Sequence, residues 1–201
     1  MSDSSAIGTI ILAAGASTRL GTPKQLLHYR GQSLLRHTAE VAIDSGCHPV
    51  VVVLGSQAER LEAEVEQLPV SVVKNNHWAK GMSSSIQTGL AVLQSIYPPV
   101  KAVVILLCDQ PFVSATLVHQ LIEGYHRTGK PIVASEYADT VGVPALFSHV
   151  LFPVLMMLPA DRGARYVIQN RAQAVARVPF SLGEIDIDTP DDYERFLHMI
   201  G

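Results

Sequence analysis

The alternation of short apolar runs with helical patterns constrains the fold of this chain most strongly. The apolar runs are rich in β-branched residues and cover residues 9–14, 49–54, 70–73, 102–107, 131–135 and 143–147. Each run is continuous, which predicts a strand that is buried on both faces. Helical patterns lie between them at residues 33–44, 56–68, 83–95 and 114–128. This order predicts an α/β protein with a Rossmann-like, three-layer α/β/α architecture and a mostly parallel central sheet.

Local signals mark where several of these elements begin and end. Serine opens most of the helical patterns, and Gly46 and Gly129 follow two of them, as helix caps do. Residues 97–99, Tyr-Pro-Pro, predict a turn ahead of the strand at 102–107. Residues 136–183 show a weaker alternation of apolar runs and helical patterns, which suggests an inserted lid or a substrate-side segment.

Length, charge and hydropathy limit the classes to which the protein can belong. Its 201 residues are 48% hydrophobic with a mean hydropathy of +0.24, which suits one domain over residues 1–201. The net charge is -3 and no run of four Lys or Arg occurs, so we expect no nucleic-acid partner. The apolar runs are far shorter than the ~20 residues of a membrane span. A polar, acidic start and two distant cysteines, Cys47 and Cys108, predict a cytoplasmic location without membrane contact.

The first predicted strand leads directly into a glycine turn and two cations. In IILAAGASTRLGTPKQLL, residues 10–27, the turn at Gly15 lacks the second glycine of GxGxxG and the lysine spacing of a P-loop. Its backbone N–H groups can hold phosphate oxygens, and Arg19 and Lys24 follow at a spacing that suits a triphosphate. A plain turn followed by two solvated cations is the alternative.

An aspartate ends the predicted central strand. In LLCDQP, residues 106–111, Asp109 lies at the carboxyl edge of the sheet, next to the first strand in the predicted order. A carboxylate at that place can hold Mg2+ against nucleotide phosphates. A turn or helix-cap role before Pro111 is the alternative.

A second acidic pair lies near the end of the chain. In GEIDIDTPDDY, residues 183–193, Asp186 and Asp188 alternate on a short predicted strand and therefore face opposite ways. One of the two can point at a metal ion. Asp188 followed by Thr189 and Pro190 also fits the start of a helix.

A serine-rich helix start forms the remaining candidate wall of the site. Gly81 and the serines after it open the helix at 83–95, whose first turn can offer backbone donors and hydroxyls to a base and a ribose. Trp78, just before it, suits a core or hinge position better than a stacking platform.

The pattern LAAGxSxRLGxPK, from Leu12 to Lys24, resembles the signature of Rossmann-like nucleotidyltransferases that activate sugars, alditols and pterins. The resemblance implies that Arg19 and Lys24 neutralise phosphates in catalysis together with Asp109, and that Asp109 and Asp188 hold Mg2+. It also implies a nucleotide-binding set made of Leu12, Ala13, Ala14, Gly15, Lys24, Gly81, Met82, Ser83 and Ser84.

The motifs GMSSSI, CDQP, GVPALF, DRGAR and DIDTP look most like the molybdenum-cofactor cytidylyltransferase branch. That branch joins CMP from CTP to the terminal phosphate of molybdopterin and releases pyrophosphate. Guanylyltransferases of the family usually carry a second glycine where Ala14 stands, and a Cβ there favours a pyrimidine base. The likeness implies acceptor contacts from Gly142, Pro144, Arg162 and Arg165, although Ala160 replaces a glycine often found before DRGAR.

Several functions use the same phosphate machinery and stay open at this point. They are a GTP-dependent molybdopterin guanylyltransferase, a sugar- or alditol-phosphate nucleotidyltransferase, and a non-catalytic accessory protein that delivers cofactor to a molybdoenzyme. A nicotinamide or flavin oxidoreductase on the same sheet is disfavoured because the dinucleotide glycine pattern is missing. An acceptor phosphate is mostly ionised at neutral pH, so nucleotidyl transfer to it requires no general base.

Overall fold

A seven-stranded sheet lies at the centre of the computed structural model, which describes residues 6–96 and 100–201. The acidic start at 1–5 and the turn predicted at 97–99 therefore lie outside the described residues. The strands are β1 (Ile7–Ala13), β2 (His28–Tyr29), β3 (Gln32–Ser33), β4 (Val50–Leu54), β5 (Ser71–Lys74), β6 (Ala102–Leu107), β7 (Ile132–Tyr137), β8 (Thr140–Ser148) and β9 (Val175–Pro179). β2 and β3 form a separate small hairpin.

The strand directions place the carboxyl ends of most strands along the same edge of the sheet. The order is β5-β4-β1-β6-β8-β7-β9, and β8 alone among the seven runs antiparallel to its neighbours. The carboxyl ends of the six other strands therefore meet the first residues of β8 at one edge. The α/β class and the mostly parallel sheet are confirmed, and ligands in such sheets bind at this edge.

Helices cover both faces of the sheet. They are α1 (Leu34–Asp44), α2 (Ala58–Glu62), α3 (Met82–Ile96), α4 (Ala115–Thr128), α5 (Phe152–Met156), α6 (Ala164–Asn170) and α7 (Pro190–Ile200). α1, α2, α4 and α7 contribute Leu35, Leu61, Leu121 and Phe196 to the core on one face. α3, α5 and α6 contribute to the core on the other face, which confirms the three layers. No helix in the described parts of the chain has the length and apolar character needed to cross a bilayer.

Some predicted elements differ from the structure. The helix predicted at 56–68 is α2, which ends at Glu62, and turns lead from there to Pro69. Pro69 disfavours a helical conformation at Leu68, which limits how far the predicted helix can extend toward β5. β5 is half-exposed instead of buried because it forms an edge of the sheet and pairs with β4 alone. Segment 136–183 contains all of β8 and β9, and its role as a lid or acceptor-side segment stays a prediction.

Gly129 ends α4 in a left-handed conformation with φ of +63°, and its N–H donates to the Tyr125 carbonyl. A Cβ added to Gly129 would meet no heavy atom within 4 Å, so backbone strain is the main cost of a side chain there. Gly129→Ala is expected to lower the free energy of unfolding by about 1 to 2 kcal/mol in a urea titration. Gly129→Asn is the matched control and should lose less, because asparagine tolerates this conformation better. Equal losses would contradict the conformational explanation.

Candidate active site

A cavity of about 400 Å3 opens at the carboxyl edge of the sheet, beyond the ends of β1 and β6. The turn after β1, the start of α3 and the end of β6 form its walls. Of the residues that the sequence predicted for the nucleotide and metal, those in the walls are Leu12, Ala14, Gly15, Lys24, Gly81, Met82 and Asp109. Segments that are far apart in sequence thus surround one space.

Lys24 connects the acidic residues of two distant segments. Its Nζ contacts Oδ2 of Asp109 and lies 2.8 Å from Oδ1 of Asp188. Nη2 of Arg19 lies 2.8 Å from the other oxygen of Asp188. The side chains of Lys24 and Asp109 are only 17% and 16% exposed, whereas that of Arg19 is 68% exposed. Solvent screens exposed pairs strongly, so the Lys24 contacts are the stronger part of this network.

Burial and charge set the protonation states of the network. Burial disfavours the Lys24 ammonium, but Asp109 and Asp188 outweigh it, so the pKa of Lys24 is raised. Burial also opposes ionisation of Asp188, but Lys24 and Arg19 outweigh it and lower the pKa of Asp188. Burial, followed by the charges of Asp109 and Asp188, raises the pKa of Asp186 to about 6. At neutral pH the site therefore holds a charged Lys24 against an ionised Asp188.

The Asp109 carboxylate fits a divalent cation. Its Oδ1 is buried and has no hydrogen-bond partner within residues 6–96 and 100–201. Such an oxygen is costly unless a ligand satisfies it. Mg2+ is commonly held in proteins by one or two carboxylates together with substrate phosphates, and Asp109 and Asp188 match the protein part of such a donor set. No group of three or more His, Cys, Asp or Glu side chains suited to a metal occurs within residues 6–96 and 100–201.

The segment that carries Asp188 packs on the end of β6. The short strand expected around Asp186 and Asp188 is not formed, because the backbone of this segment bonds to a loop rather than to a strand. The N–H of the buried Ile187 donates to the Asp109 carbonyl at 3.0 Å. Thr189 caps α7 in a capping box with Asp192, so the helix start expected there is also present. Asp188 thus lies between two hydrogen-bonded residues, Ile187 and Thr189, and its carboxylate contacts Lys24.

The start of α3 contributes Gly81, Met82 and Ser85 to the cavity wall. Gly81 has φ of +111°, and a Cβ added to it would lie 2.1 Å from the carbonyl oxygen of Ala160. The Ser83 hydroxyl donates to that Ala160 carbonyl, and the Ser84 hydroxyl donates to the Gly81 carbonyl. Both hydroxyls are thus engaged with backbone and lie outside the cavity wall, which contains Ser85 instead.

The predicted acceptor residues of β8 lie beside the end of β6. Ala145 pairs with Ile105 in the sheet, which places Gly142 and Pro144 next to the last residues of β6. A Cβ added to Gly142 would come within 2.6 Å of the Tyr137 hydroxyl, so the position requires close approach. These residues form part of a strand, as the sequence predicted, but not part of the 400 Å3 cavity.

The two arginines that were predicted to contact the acceptor lie on the surface, outside the cavity wall. Nη2 of Arg165 lies 2.6 Å from Oγ1 of Thr140, at the start of β8. The Arg162 guanidinium pairs with Asp161 and lies 5.3 Å from the centre of the Tyr166 ring. Both arginines are exposed and neither contributes to the cavity wall.

Further wall residues were not assigned from the sequence as ligand contacts. They are Ala16, Ser17, Thr18, Trp78, Ala79, Ser85 and Leu107. Ser17 belongs to the LAAGxSxRLGxPK signature and Ser85 to the serine run after Gly81. The others had no signal beyond their proximity to the glycine turn, to Gly81 or to Asp109. Ala13, in contrast, is buried in β1 and does not contribute to the wall.

Known proteins resemble this chain over almost its whole length. Residues 9–176 match the MobA-like NTP transferase domain. The chain is 34% identical to nicotine blue oxidoreductase of Paenarthrobacter nicotinovorans, over 94% of this chain and 95% of that protein. It is 29% identical to the purine catabolism protein PucB of Bacillus subtilis, over 92% of this chain and 93% of that protein.

Solved structures share the architecture. Rv0371c from Mycobacterium tuberculosis has a TM-score of 0.83 and 32% identity, over 96% of this chain and 98% of that one. The same protein has also been solved in complex with manganese, and that structure has a TM-score of 0.78 and 31% identity. The molybdopterin-guanine dinucleotide biosynthesis protein A of Archaeoglobus fulgidus shares the fold, with a TM-score of 0.70 and 18% identity. The glycine turn, the acidic end of β6 and these matches together show that the chain belongs to the MobA-like NTP transferase family.

Proposed function

We propose that this protein transfers CMP from CTP to the terminal phosphate of molybdopterin and releases pyrophosphate, in the cytoplasm and with Mg2+ as its cofactor. The observation that carries the proposal is the position of Lys24, which lies in the wall of the cavity and bonds to Asp109 and Asp188. A cation between two carboxylates beside a glycine turn supplies the charges that a bound triphosphate and its metal require.

In this reaction an oxygen of the acceptor phosphate attacks the α-phosphorus of CTP. A new P–O bond forms, and the bond between the α-phosphorus and the bridging oxygen breaks as pyrophosphate leaves. Lys24 and Arg19 bind phosphate oxygens and stabilise the charge that develops on them. Asp109 and Asp188 hold Mg2+, which supplies charge neutralisation on the phosphates when it is bound.

The wall around Ala14 supports a small base. Ala14 is 6% exposed, and a Cβ added to Gly55 would lie 2.8 Å from the Ala14 methyl group. The methyl group is thus packed close to Gly55 and the Trp78 side chain, in a residue that lines the cavity. A methyl group where guanylyltransferases usually carry glycine favours a pyrimidine by about 1 to 3 kcal/mol, which is a preference rather than an exclusion.

The acceptor is assigned to the side of the site formed by segment 136–183. Gly142 and Pro144 lie beside the end of β6, so an acceptor there is close to Asp109. Arg165 contacts Thr140 at the start of β8, and Arg162 is exposed nearby in sequence. We assign the acceptor contacts to these four residues, with the arginines binding the anionic part of molybdopterin.

Pyrophosphate release tests the proposal. The chain is incubated with each of the four nucleoside triphosphates, with and without molybdopterin and Mg2+. We expect release with CTP only when molybdopterin and the metal are present. Release with GTP in place of CTP would indicate a molybdopterin guanylyltransferase. Release with only a sugar or alditol phosphate would overturn the assignment of molybdopterin as the acceptor. A non-catalytic accessory protein would release none with any nucleotide.

The relative named nicotine blue oxidoreductase favours a second candidate, an oxidoreductase that uses a nicotinamide or flavin cofactor. The glycine turn of this chain lacks the second glycine of the dinucleotide pattern, which speaks against that reaction. Absorbance of NADH and NADPH, followed with nicotine blue as substrate, distinguishes the two. Oxidation of either cofactor without any pyrophosphate release would replace the first proposal.

A further inference from the structure

Gln25 is buried next to the glycine turn, and its side chain has no part in the roles assigned so far. Only 1% of Gln25 is exposed, although its neighbour Lys24 lies in the cavity wall. Burial of an amide is costly unless its polar atoms find partners. The partners of Gln25 therefore indicate why the chain keeps an amide here.

The amide nitrogen of Gln25 donates to two carbonyl groups of the turn. Nε2 lies 2.8 Å from the oxygen of Ala13 and 3.0 Å from the oxygen of Gly15. The carbonyl of Ala14, between them, accepts from the N–H of Ser56 at 3.0 Å. Three successive carbonyl groups of the turn are thus held by protein donors.

These bonds fix the direction of the N–H groups that follow. In a trans peptide the C=O of one residue and the N–H of the next point in opposite directions. Gln25 and Ser56 are not wall residues, so the carbonyls of Ala14 and Gly15 point away from the cavity. The N–H groups of Gly15 and Ala16 then face it, and neither has an acceptor in the described part of the chain.

The same side chain also connects the turn to the catalytic lysine. The Ser17 hydroxyl donates to Oε1 of Gln25 at 3.4 Å and accepts from the Lys24 N–H at 3.0 Å. Ser17 has φ of +51°, a conformation that a serine keeps only when its surroundings hold it. Gln25 thus contacts both sides of the phosphate-binding region.

We infer that Gln25 is a positioning residue, whose amide holds the Gly15 carbonyl so that the N–H of Ala16 binds a phosphate oxygen, beside the Gly15 N–H that the bond from Ser56 positions. Without the Gln25 donor the peptide between Gly15 and Ala16 can rotate, and a carbonyl oxygen facing the cavity would repel an anion. The inference rests on the proposed function in that the anion is the phosphate part of a nucleotide.

Gln87 provides a matched control. Its Nε2 also donates to two carbonyl groups, those of Met156 and Leu158, at 3.1 and 3.2 Å. Gln87→Met therefore removes the same kind of bond from a different loop. Gln25→Met keeps the length of the side chain without its amide, and Gln25→Glu keeps an acceptor but loses the donor.

The probe is inorganic pyrophosphate, titrated by calorimetry into the full chain, with thermal unfolding as a check of the fold. We expect Gln25→Met to bind pyrophosphate roughly tenfold or more weakly than the unsubstituted chain, and Gln25→Glu more weakly still. Gln87→Met should keep the original affinity even where its melting temperature falls. In the unsubstituted chain, pyrophosphate should shift the 15N amide resonances of Gly15 and Ala16, and this measurement needs no variant to fold.

The outcomes separate this inference from the proposed reaction. An unshifted amide of Ala16, or equal affinities of Gln25→Met and Gln87→Met, would overturn the positioning role alone. No pyrophosphate binding by the unsubstituted chain would overturn both. Weakened binding by Gln25→Met, in a chain that releases no pyrophosphate from any nucleotide, would support the positioning role and reject the reaction.

Discussion

Asp109→Asn is expected to reduce pyrophosphate release at least a hundredfold while the fold is retained. The substitution preserves shape but removes the charge that faces Lys24 and the buried oxygen that lacks a partner among the described residues. Loss of one preorganised charged group at a site of this kind typically costs about 2.7 to 4 kcal/mol, or a hundredfold to a thousandfold in rate. Initial rates at saturating CTP, molybdopterin and Mg2+ measure the effect.

Asp44→Asn is the control for this prediction. Asp44 is exposed at the end of α1, so its variant should keep both the rate and the melting temperature. Binding of Mn2+ in the presence of a non-hydrolysable CTP analogue gives a second reading, and Asp109→Asn should weaken it. An Asp109→Asn rate within a few-fold of the original would remove Asp109 from the metal site.

Lys24→Met is expected to lower the rate at least a hundredfold and also to destabilise the fold at neutral pH. The variant leaves Asp109 and Asp188 close together without the cation that separates them. Because the pKa of Lys24 is raised, Lys24 contributes fully to the free energy of unfolding below about pH 10.5, and this contribution is lost as the pH rises above that value. The lowered pKa of Asp188 means that the contribution of Asp188 is lost as the pH falls below its usual value. Urea titrations across pH should therefore show the largest destabilisation between these limits.

Lys101→Met controls for the loss of a positive charge. Lys101 is exposed and directly precedes β6, at the opposite end of that strand from Asp109. Its variant should keep the rate and show no pH-dependent loss of stability relative to the original chain. A Lys24→Met variant as stable as Lys101→Met at neutral pH would contradict the account of the ion network.

The nucleotide side of the site was accessible from sequence because its residues directly follow buried strands. Gly15 and Asp109 come after β1 and β6, which are adjacent and parallel, so their ends had to lie close together. Lys24 follows the turn by a few residues and bonds to Asp109 in the structure. The family, the α/β class and the parallel sheet followed from the same strands and motifs.

Other features left no local signal. The direction of β8 depends on pairing with β6 and β7, and its apolar sequence is the same whichever way the strand runs. α5 and α6 have five and seven residues, which is too short for a helical period to stand out. Gln25 is an ordinary polar residue in the sequence, and its role depends on bonds to the Ala13 and Gly15 carbonyls that only folding creates.

The reversed direction of β8 joins it to β7 by a hairpin whose tip lies outside the ladders of β1, β4 and β6. β7 and β8 are therefore joined by a short hairpin turn at Ala138 and Asp139, and not by a crossover connection through a helix. Under the proposed function, insertions or replacements at this tip would leave the β1–β4 and β1–β6 ladders intact. They would therefore change acceptor specificity without loss of nucleotide activation.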